Sequence, residues 1–364
     1  MNFRTISRAL TNDRLTELLG RFQSKRIAVI GDFFLDRYLD VDPGIAEFSI
    51  ETGKTANQVI GVRHSPGAAG NVVKNLASLG AGSLHAIGII GDDGEGYELT
   101  SDLEKLGCSV TGLIHSPERM TPTYLKPRDY MRKGLDGEHE RYDIKNRRMV
   151  SRILEAAVIE ALDSILPEVD GVIISDQVEK SDCGVITEAV RNALSERAAH
   201  TPGSVFAVDS RARIREFRNI LVKPNQFEAM GLARHEPGQS IETAALEKQL
   251  LSLRGEVRAP VCITCAERGI LLSDPQPVIV PAVRLTGELD TTGAGDSAMA
   301  GIVLALTSGA SLIEAAVIGN LVASITAEQL ATTGAARIGD LPPRLERWRS
   351  QFAGISHLKP RDEP

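Results

Sequence analysis

The sequence predicts an α/β protein, a doubly wound, mostly parallel sheet flanked by helices, with a small β element standing apart from it. Short apolar runs alternate with segments of helical periodicity along most of the 364 residues, which is the pattern of strand–helix–strand units. The alternation occurs twice, once in each half, with no repeat of fixed period and no low-complexity tract. Several runs are continuously apolar rather than alternating, as strands buried on both faces are.

Leu10, Leu15, Leu18, Leu19 and Phe22 share one helical face. Residues 1–24 therefore read as a helical extension, capped by Asn12 or Asp13. Arg26-Ile-Ala-Val-Ile-Gly-Asp32 is a buried strand ending in Gly-Asp. The stretch from 35 to 65 alternates weakly and is broken by Pro43, Gly44 and Gly53. Within it, Gln58-Val-Ile-Gly-Val-Arg63 reads as a strand with one wet face; this is the small β element, bounded at 36–65. Helix 71–79, strand 84–90 and helix 97–106 follow, the last closed by Gly107. The second half reads as helix 150–166, strand 171–175, helix 183–197, strands 205–209 and 220–223, helix 244–253 and strand 261–265. Strand-like runs 269–273 and 278–281 precede a glycine-rich turn and helices 297–307 and 313–329. The main domain is set at 25–345, with a tail at 346–364.

Ligands of such folds bind outside the carboxyl ends of the strands. That singles out Asp32, Asp176, Asp209, Asn225 and the 290s.

Charge narrows the partners. A net charge of −7 argues against a general nucleic-acid or membrane-surface binder. The basic run Lys145, Arg147, Arg148, Arg152 is short and mixed, and reads as a solvated helix start. No apolar run reaches the ~18–20 residues of a membrane span. The first 26 residues are polar with helical spacing rather than a leader, so a cytoplasmic protein is expected. Four cysteines do not make a disulfide framework in a chain this long. Cys262 and Cys265 lie within an apolar strand, where residues three apart face opposite sides. They are expected to pack the core rather than share a metal.

The segment that carries chemistry is Asp290-Thr-Thr-Gly-Ala-Gly-Asp-Ser297, running straight into an apolar helix. Small residues let the backbone approach a bound group. The amides of Gly293, Ala294 and Gly295 would sit at a helix N-terminus, which attracts phosphate. Asp296 in the same turn could accept a proton from an attacking hydroxyl; the bland alternative is a plain N-cap. The turn is not a Walker A loop, which ends in Lys-Ser/Thr, nor the dinucleotide fingerprint, which has a third glycine.

The full string resembles the signature near the C-terminus of the ribokinase (PfkB) family of carbohydrate kinases. Pro66-Gly-Ala-Ala-Gly-Asn71 is similar to that family's glycine-rich segment near the N-terminus, and the likeness runs from about 25 to 343. The resemblance implies a ribokinase-like fold, ATP and Mg2+ as partners of the reaction, and phosphorylation of a sugar hydroxyl. It implies Asp296 as catalytic base, with Gly293, Ala294 and Gly295 as its anion hole, and Asp290 as a candidate ligand of a monovalent cation such as K+. Asp32 would grip sugar hydroxyls, with Gly67, Gly70 and Asn71 lining the same pocket. Lys223-Pro-Asn225-Gln-Phe-Glu228 resembles the family's Asn-x-x-Glu motif, with Glu228 acting on Mg2+ through water and Lys223 and Asn225 on the nucleotide. Thr264, Glu267 and Gly269 look like the nucleotide-side loop, and Asn320 falls where the family contacts adenine. The strands at 36–65 would form a lid over the sugar, and such lids often pair two chains, which implies a homodimer.

Within the family, Gly31-Asp-Phe-Phe-Leu-Asp-Arg-Tyr38 resembles the opening of the heptose-phosphate kinases that serve ADP-heptose synthesis. Asp36 joins the substrate candidates on that likeness. Ser175-Asp-Gln-Val-Glu-Lys180 and Val208-Asp-Ser-Arg211 are similar to two further segments of theirs. The chain departs from their pattern at Ser49-Ile-Glu-Thr-Gly53 and at Gly67-Ala68, both in the sugar pocket. An acceptor that is already phosphorylated would want positive charge, and Lys126, Arg128, Lys180 and Arg211 could supply it. Two other readings stay open at this stage. A nucleoside kinase of the same fold would call for aromatic stacking, and aromatics make up 4% of the chain. A non-catalytic sugar-binding or regulatory protein would have no need of Asp296.

Overall fold

Helix α1 (Asn12–Arg21) is capped by Thr11, whose hydroxyl accepts the Arg14 amide at 3.1 Å. Thr11, rather than Asn12 or Asp13, is the residue with extended backbone at the boundary. The computed structural model describes residues 6, 8–132, 134–232, 236, 238–330 and 334–352. Strand β1 (Arg26–Gly31) leads into a long hairpin, β2 (Phe33–Phe48) and β3 (Thr55–Ala68). Then come α2 (Ala69–Ser78), β4 (Ser83–Gly91), α3 (Gly94–Lys105) and β5 (Cys108–Ser116). Strands β6 (Thr123–Asp129) and β7 (Tyr142–Ile144) precede α4 (Arg152–Ile165), β8 (Gly171–Asp176), α5 (Glu188–His200), β9 (Val205–Ser210) and β10 (Leu221–Val222). The rest is a one-turn helix α6 (Gln226–Ala229), α7 (Thr243–Val257), β11 (Cys262–Thr264), β12 (Ile270–Leu272), β13 (Val278–Val280), α8 (Ala294–Thr307), α9 (Leu312–Thr326) and α10 (Leu341–Ser350).

The main sheet has the order β10-β9-β8-β1-β4-β5, and every pairing in it is parallel. Successive residues of β1 feed two cores. Ile27 and Val29 join one with α1, α2, α8, α9 and α10; Ala28 and Ile30 join the other with α4, α5 and α7. Each fully buried Ile, Leu or Val adds roughly 1.5–3 kcal/mol of burial, so the period-two split of β1 is what holds helices to both faces. Cys262 belongs to the first core and Cys265 to the second, as strand geometry requires. From β1 the chain winds outward to β4 and β5, then returns to β8 and winds the other way. The switch point lies between β1 and β8, and a ligand crevice opens at their carboxyl ends.

Two smaller sheets flank this one. Strands β11-β12-β13 are antiparallel and touch the main sheet through parallel bridges Val222–Val261 and Asn225–Thr264. The second is the β element expected at 36–65, but it is larger: β3-β2-β6-β7, starting at Phe33 and recruiting two strands from beyond residue 120. Pairing with β2 orders β6, so a local pattern could not announce it. The 58–63 segment does not have one wet face either. Val59, Ile60 and Val62 are all about half exposed, because this sheet stands off from the body.

Two further boundaries and one strand differ from the sequence reading. Helix α5 begins at Glu188, not 183, since Thr187 caps it and 183–187 is drawn towards Asp32 and Arg119. Strand β5 is additional. The division at 345/346 cuts through α10, whose Trp348 is fully buried and donates to Pro281 O at 2.7 Å. Residues 353–364 of the expected tail lie outside the described residues. The 1–24 extension is not peripheral: Leu10, Leu15, Leu18 and Phe22 share a core with Trp348.

Candidate active site

The candidate site combines the glycine turn that carries Asp296 with a cavity whose lining includes Arg211 but not Asp296; Arg211 lies close enough to oppose the rise of the Asp296 pKa. Gly293 caps α8 in the left-handed conformation (φ 77) and turns the chain so that Asp296 falls in the first helical turn. Its Oδ2 accepts from Asn71 Nδ2 at 3.0 Å. Burial pushes the Asp296 carboxyl up to about 6; Asn71 opposes the rise, Asp209 adds to it, and Lys223 and Arg211 oppose it. First-turn amides have no partner inside the helix. Ala294 is the exception among the three expected donors, because the tight turn points its N–H at Thr291 O, 3.1 Å away. Asp290 is buried and its Oδ1 accepts the Thr292 amide at 3.0 Å.

On the nucleotide side, Lys223 is 2% exposed and pairs with Asp209 at 2.7 Å. Burial opposes the ammonium charge, yet Asp209, with Glu228 and Asp296, outweighs it and holds the Lys223 pKa above the ordinary lysine value. A Cβ on Gly295 would stand 3.5 Å from Lys223 Nζ, so the glycine turn and this lysine face the same space. Asn225 and Glu228 form a capping box on α6: Asn225 Oδ1 accepts the amides of Phe227 and Glu228, and Glu228 Oε2 accepts the Asn225 amide at 2.8 Å. Burial, then repulsion from Asp209, raises Glu228 to about 7. Thr264 sits beside Asn225 through the strand bridge, its amide on Pro224 O at 2.9 Å.

Three further residues expected on the nucleotide side lie on or beside the β11-β12-β13 sheet. A Cβ on Gly269 would lie 2.0 Å from Val280 O, so that glycine is set by strand packing. Asn320 spends both amide donors on the carbonyls of Val280 and Pro281, at 3.0 and 3.1 Å, and ties α9 to β13. Glu267 lies exposed on the turn before β12.

The second part is a cavity at the switch point, walled by Asp32 and Phe33 from β1–β2 and by the 177–185 segment after β8. Asp32 is there, but its carboxylate is occupied. Oδ2 accepts the amides of Gln177 (2.8 Å) and Val178 (3.1 Å), and Oδ1 that of Val185 (2.7 Å). Burial raises its pKa, against those three bonds. Asp36 and Lys126 form an ion pair at 3.0 Å within the β3-β2-β6-β7 sheet. Gly67 backs onto the Asp36 carboxylate, and a Cβ on Gly70 would strike Pro66 Cβ at 2.5 Å. Arg211 and Lys180 do line the cavity, whereas Arg128 bonds to Arg132 O and does not. Sequence reasoning missed Arg119, Lys145 and Arg147 as cavity residues, since nothing local marks a loop arginine that folds back across the chain. It also missed the Asp209–Lys223 pair, although Asp209 stood out as a strand-end carboxylate.

Comparison with known proteins gives the family and the fold. The model of the pfkB family carbohydrate kinase matches residues 24–337. The bifunctional protein HldE of a Caulobacter species is 31% identical over 327 residues, 88% of this chain and 63% of its own length; this chain thus spans under two thirds of that relative. Phosphofructokinase-2 from Escherichia coli, solved with fructose-6-phosphate, is 21% identical, covers 89% of this chain and 99% of its own, and superposes with a TM-score of 0.64. Ribokinase from Cryptococcus neoformans, solved with ADP, is 20% identical over 90% of this chain and 99% of its own, with a TM-score of 0.56. Likeness at that identity speaks for the fold, and the family match extends it to the class of reaction: the chain belongs to the pfkB family of carbohydrate kinases.

Proposed function

We propose that this chain transfers the terminal phosphoryl group of ATP to a hydroxyl of a sugar phosphate, with Asp296 as general base. The observation that carries the reading is the setting of Asp296: first turn of α8, held by Asn71, its pKa about 6, opposite a buried lysine. Such a carboxylate is ionised at neutral pH and still basic enough to take a hydroxyl proton as the new P–O bond forms. The hydroxyl oxygen attacks phosphorus, the bond to the bridging oxygen of the leaving diphosphate breaks, and the proton ends on Asp296. The free amides at the start of α8 and Lys223 meet the charge on the transferred group.

Magnesium, when bound, would neutralise phosphate charge. Glu228, acting through water, and Asp209 would hold it: two carboxylates that repel each other across one space are a hard-oxygen donor set of the kind magnesium uses. Asp290 would take a monovalent cation such as K+.

The cavity wall speaks for a charged acceptor. Arg119, Lys145, Arg147, Lys180 and Arg211 line it against Asp32 and Glu179. Among the described residues, only Lys145 of these five has a carboxylate at ion-pair distance, Asp143 at 3.3 Å. In a chain of net charge −7, such a wall favours an acceptor bearing its own phosphate. The lid's exposed Ile45, Phe48, Val59, Ile60 and Val62 would be covered by a second copy of the chain.

ATP consumption with Mg2+ would be followed against pentoses, hexoses, heptoses, their terminal phosphates and nucleosides, with Asp296→Asn alongside. The expected result is turnover of a sugar phosphate, falling by about 10²–10⁴-fold in Asp296→Asn. Full activity in that variant would end the role of Asp296. Binding of ATP and sugar without turnover would leave a binding protein.

A further inference from the structure

One wall of the acceptor cavity is the irregular segment 177–185, between β8 and α5. Irregular segments hold one conformation only when their backbone groups are gripped. Here the grip comes from both sides. Arg213, 6% exposed, donates Nη1 to Glu179 O at 3.1 Å and Nη2 to Val178 O at 2.6 Å. The same guanidinium binds the fully buried Asp176, with Nε to Oδ2 at 3.2 Å and Nη2 to Oδ1. Ser210 Oγ adds a bond to Asp176 Oδ2 at 2.6 Å. From the opposite side, Asp32 accepts the amides of Gln177, Val178 and Val185. Arg213 thus takes the carbonyls of the turn and Asp32 its amides. Arg213 does not line the cavity, but Val178 and Glu179, whose carbonyls it holds, do.

We infer that Arg213 is a positioning residue for the acceptor site: through Asp176 and the carbonyls of Val178 and Glu179 it fixes the 177–180 turn against Asp32, and so sets the shape of the cavity wall. This rests on reading the cavity as the acceptor pocket. A buried arginine paired with one carboxylate is, by itself, no stabilising device, since a well-packed apolar pair serves as well. The fork has a further use here because it makes four contacts, two to the Asp176 oxygens and two to backbone carbonyls, one more than the three donors of an ammonium.

Three variants separate positioning from folding. Arg213→Met leaves Asp176 buried without its cation and is expected to lower the melting temperature. Arg213→Met combined with Asp176→Asn removes both charges and is expected to recover it. Arg213→Lys keeps the charge and loses the fork. In the double variant and in Arg213→Lys, the acceptor KM is expected to rise roughly tenfold to a hundredfold, with the KM for ATP unchanged. Amide exchange across 177–185 in the unliganded protein is expected to quicken in both. Wild-type acceptor KM in either folded variant, or unchanged exchange at 177–185, would overturn the inference. If the wild type turns over no acceptor, the kinase reading fails separately, and the exchange measurement still decides whether Arg213 holds the turn.

Discussion

Asp296 bears a stability cost that its proposed role explains. Its carboxyl titrates near 6 in the fold against an ordinary value of 3.8. A raised folded pKa means the ionised form is the disfavoured one, so the stability it contributes is present below about 3.8 and lost as pH rises through 6. Asp296→Asn is therefore expected to be more stable than wild type at pH 8, by about 1–2 kcal/mol after allowing for solvent at this half-buried group. The gain should vanish near pH 3.5. Urea unfolding of the unliganded protein at the two pH values checks both. Ala68 is a second strained residue. It holds φ 52 and ψ −119 at the N-cap of α2, backbone that glycine adopts freely. Ala68→Gly is expected to stabilise the chain by about 1 kcal/mol in the same assay. Asp32, Asp36, Lys126 and Asn320 carry the residue types that substrate or nucleotide binding wants, and each has a partner within the chain.

At the scale of elements, the termini form one unit. Helix α10 packs on α1: Arg349 donates to Asn12 Oδ1 at 2.6 Å, and Trp348 stacks edge-on against Phe352 at 5.4 Å. Trp348→Ala would empty a fully buried site and remove one of the two side-chain donors to the Pro281 carbonyl. The expected loss is about 3–5 kcal/mol in denaturant unfolding, and a loss under 1 kcal/mol would mean that α10 is not part of the core. The sequence reading placed most helices and strands within a few residues because their apolar periods are local. It misjudged the start of α5 and the ends of the chain, where long-range contacts decide. Segment 183–187 has a helical pattern, but the Val185 amide serves Asp32.

At the scale of the molecule, the small sheet proposed as a lid is the part whose surface does not fit a solitary chain. Half-exposed Val59, Ile60 and Val62 lie together on β3, in a sheet that the body leaves uncovered. If a second copy covers it, Ile60→Glu is expected to yield monomers in sedimentation at micromolar concentration while wild type sediments as a dimer. A monomeric wild type would remove that proposal. His64 Nδ1 meets Asp102 at 2.5 Å, and Arg37 meets Glu95 and Glu98 at 3.1 and 3.0 Å, so the base of the lid is tied to α3.

The sequence by itself determined the fold class, the glycine turn before α8 and the candidate base. These are written in contiguous residues, as apolar periods and one short string, and need no knowledge of distant neighbours. Only the tertiary structure decided which polar side chains face one another. Asn71 meets Asp296 across 225 positions of chain; Lys223 chooses Asp209, and Asp32 grips the turn that Arg213 holds. Those choices follow from strand order. β1 and β8 become neighbours at the switch point, and buried charges there must find partners because water cannot reach them.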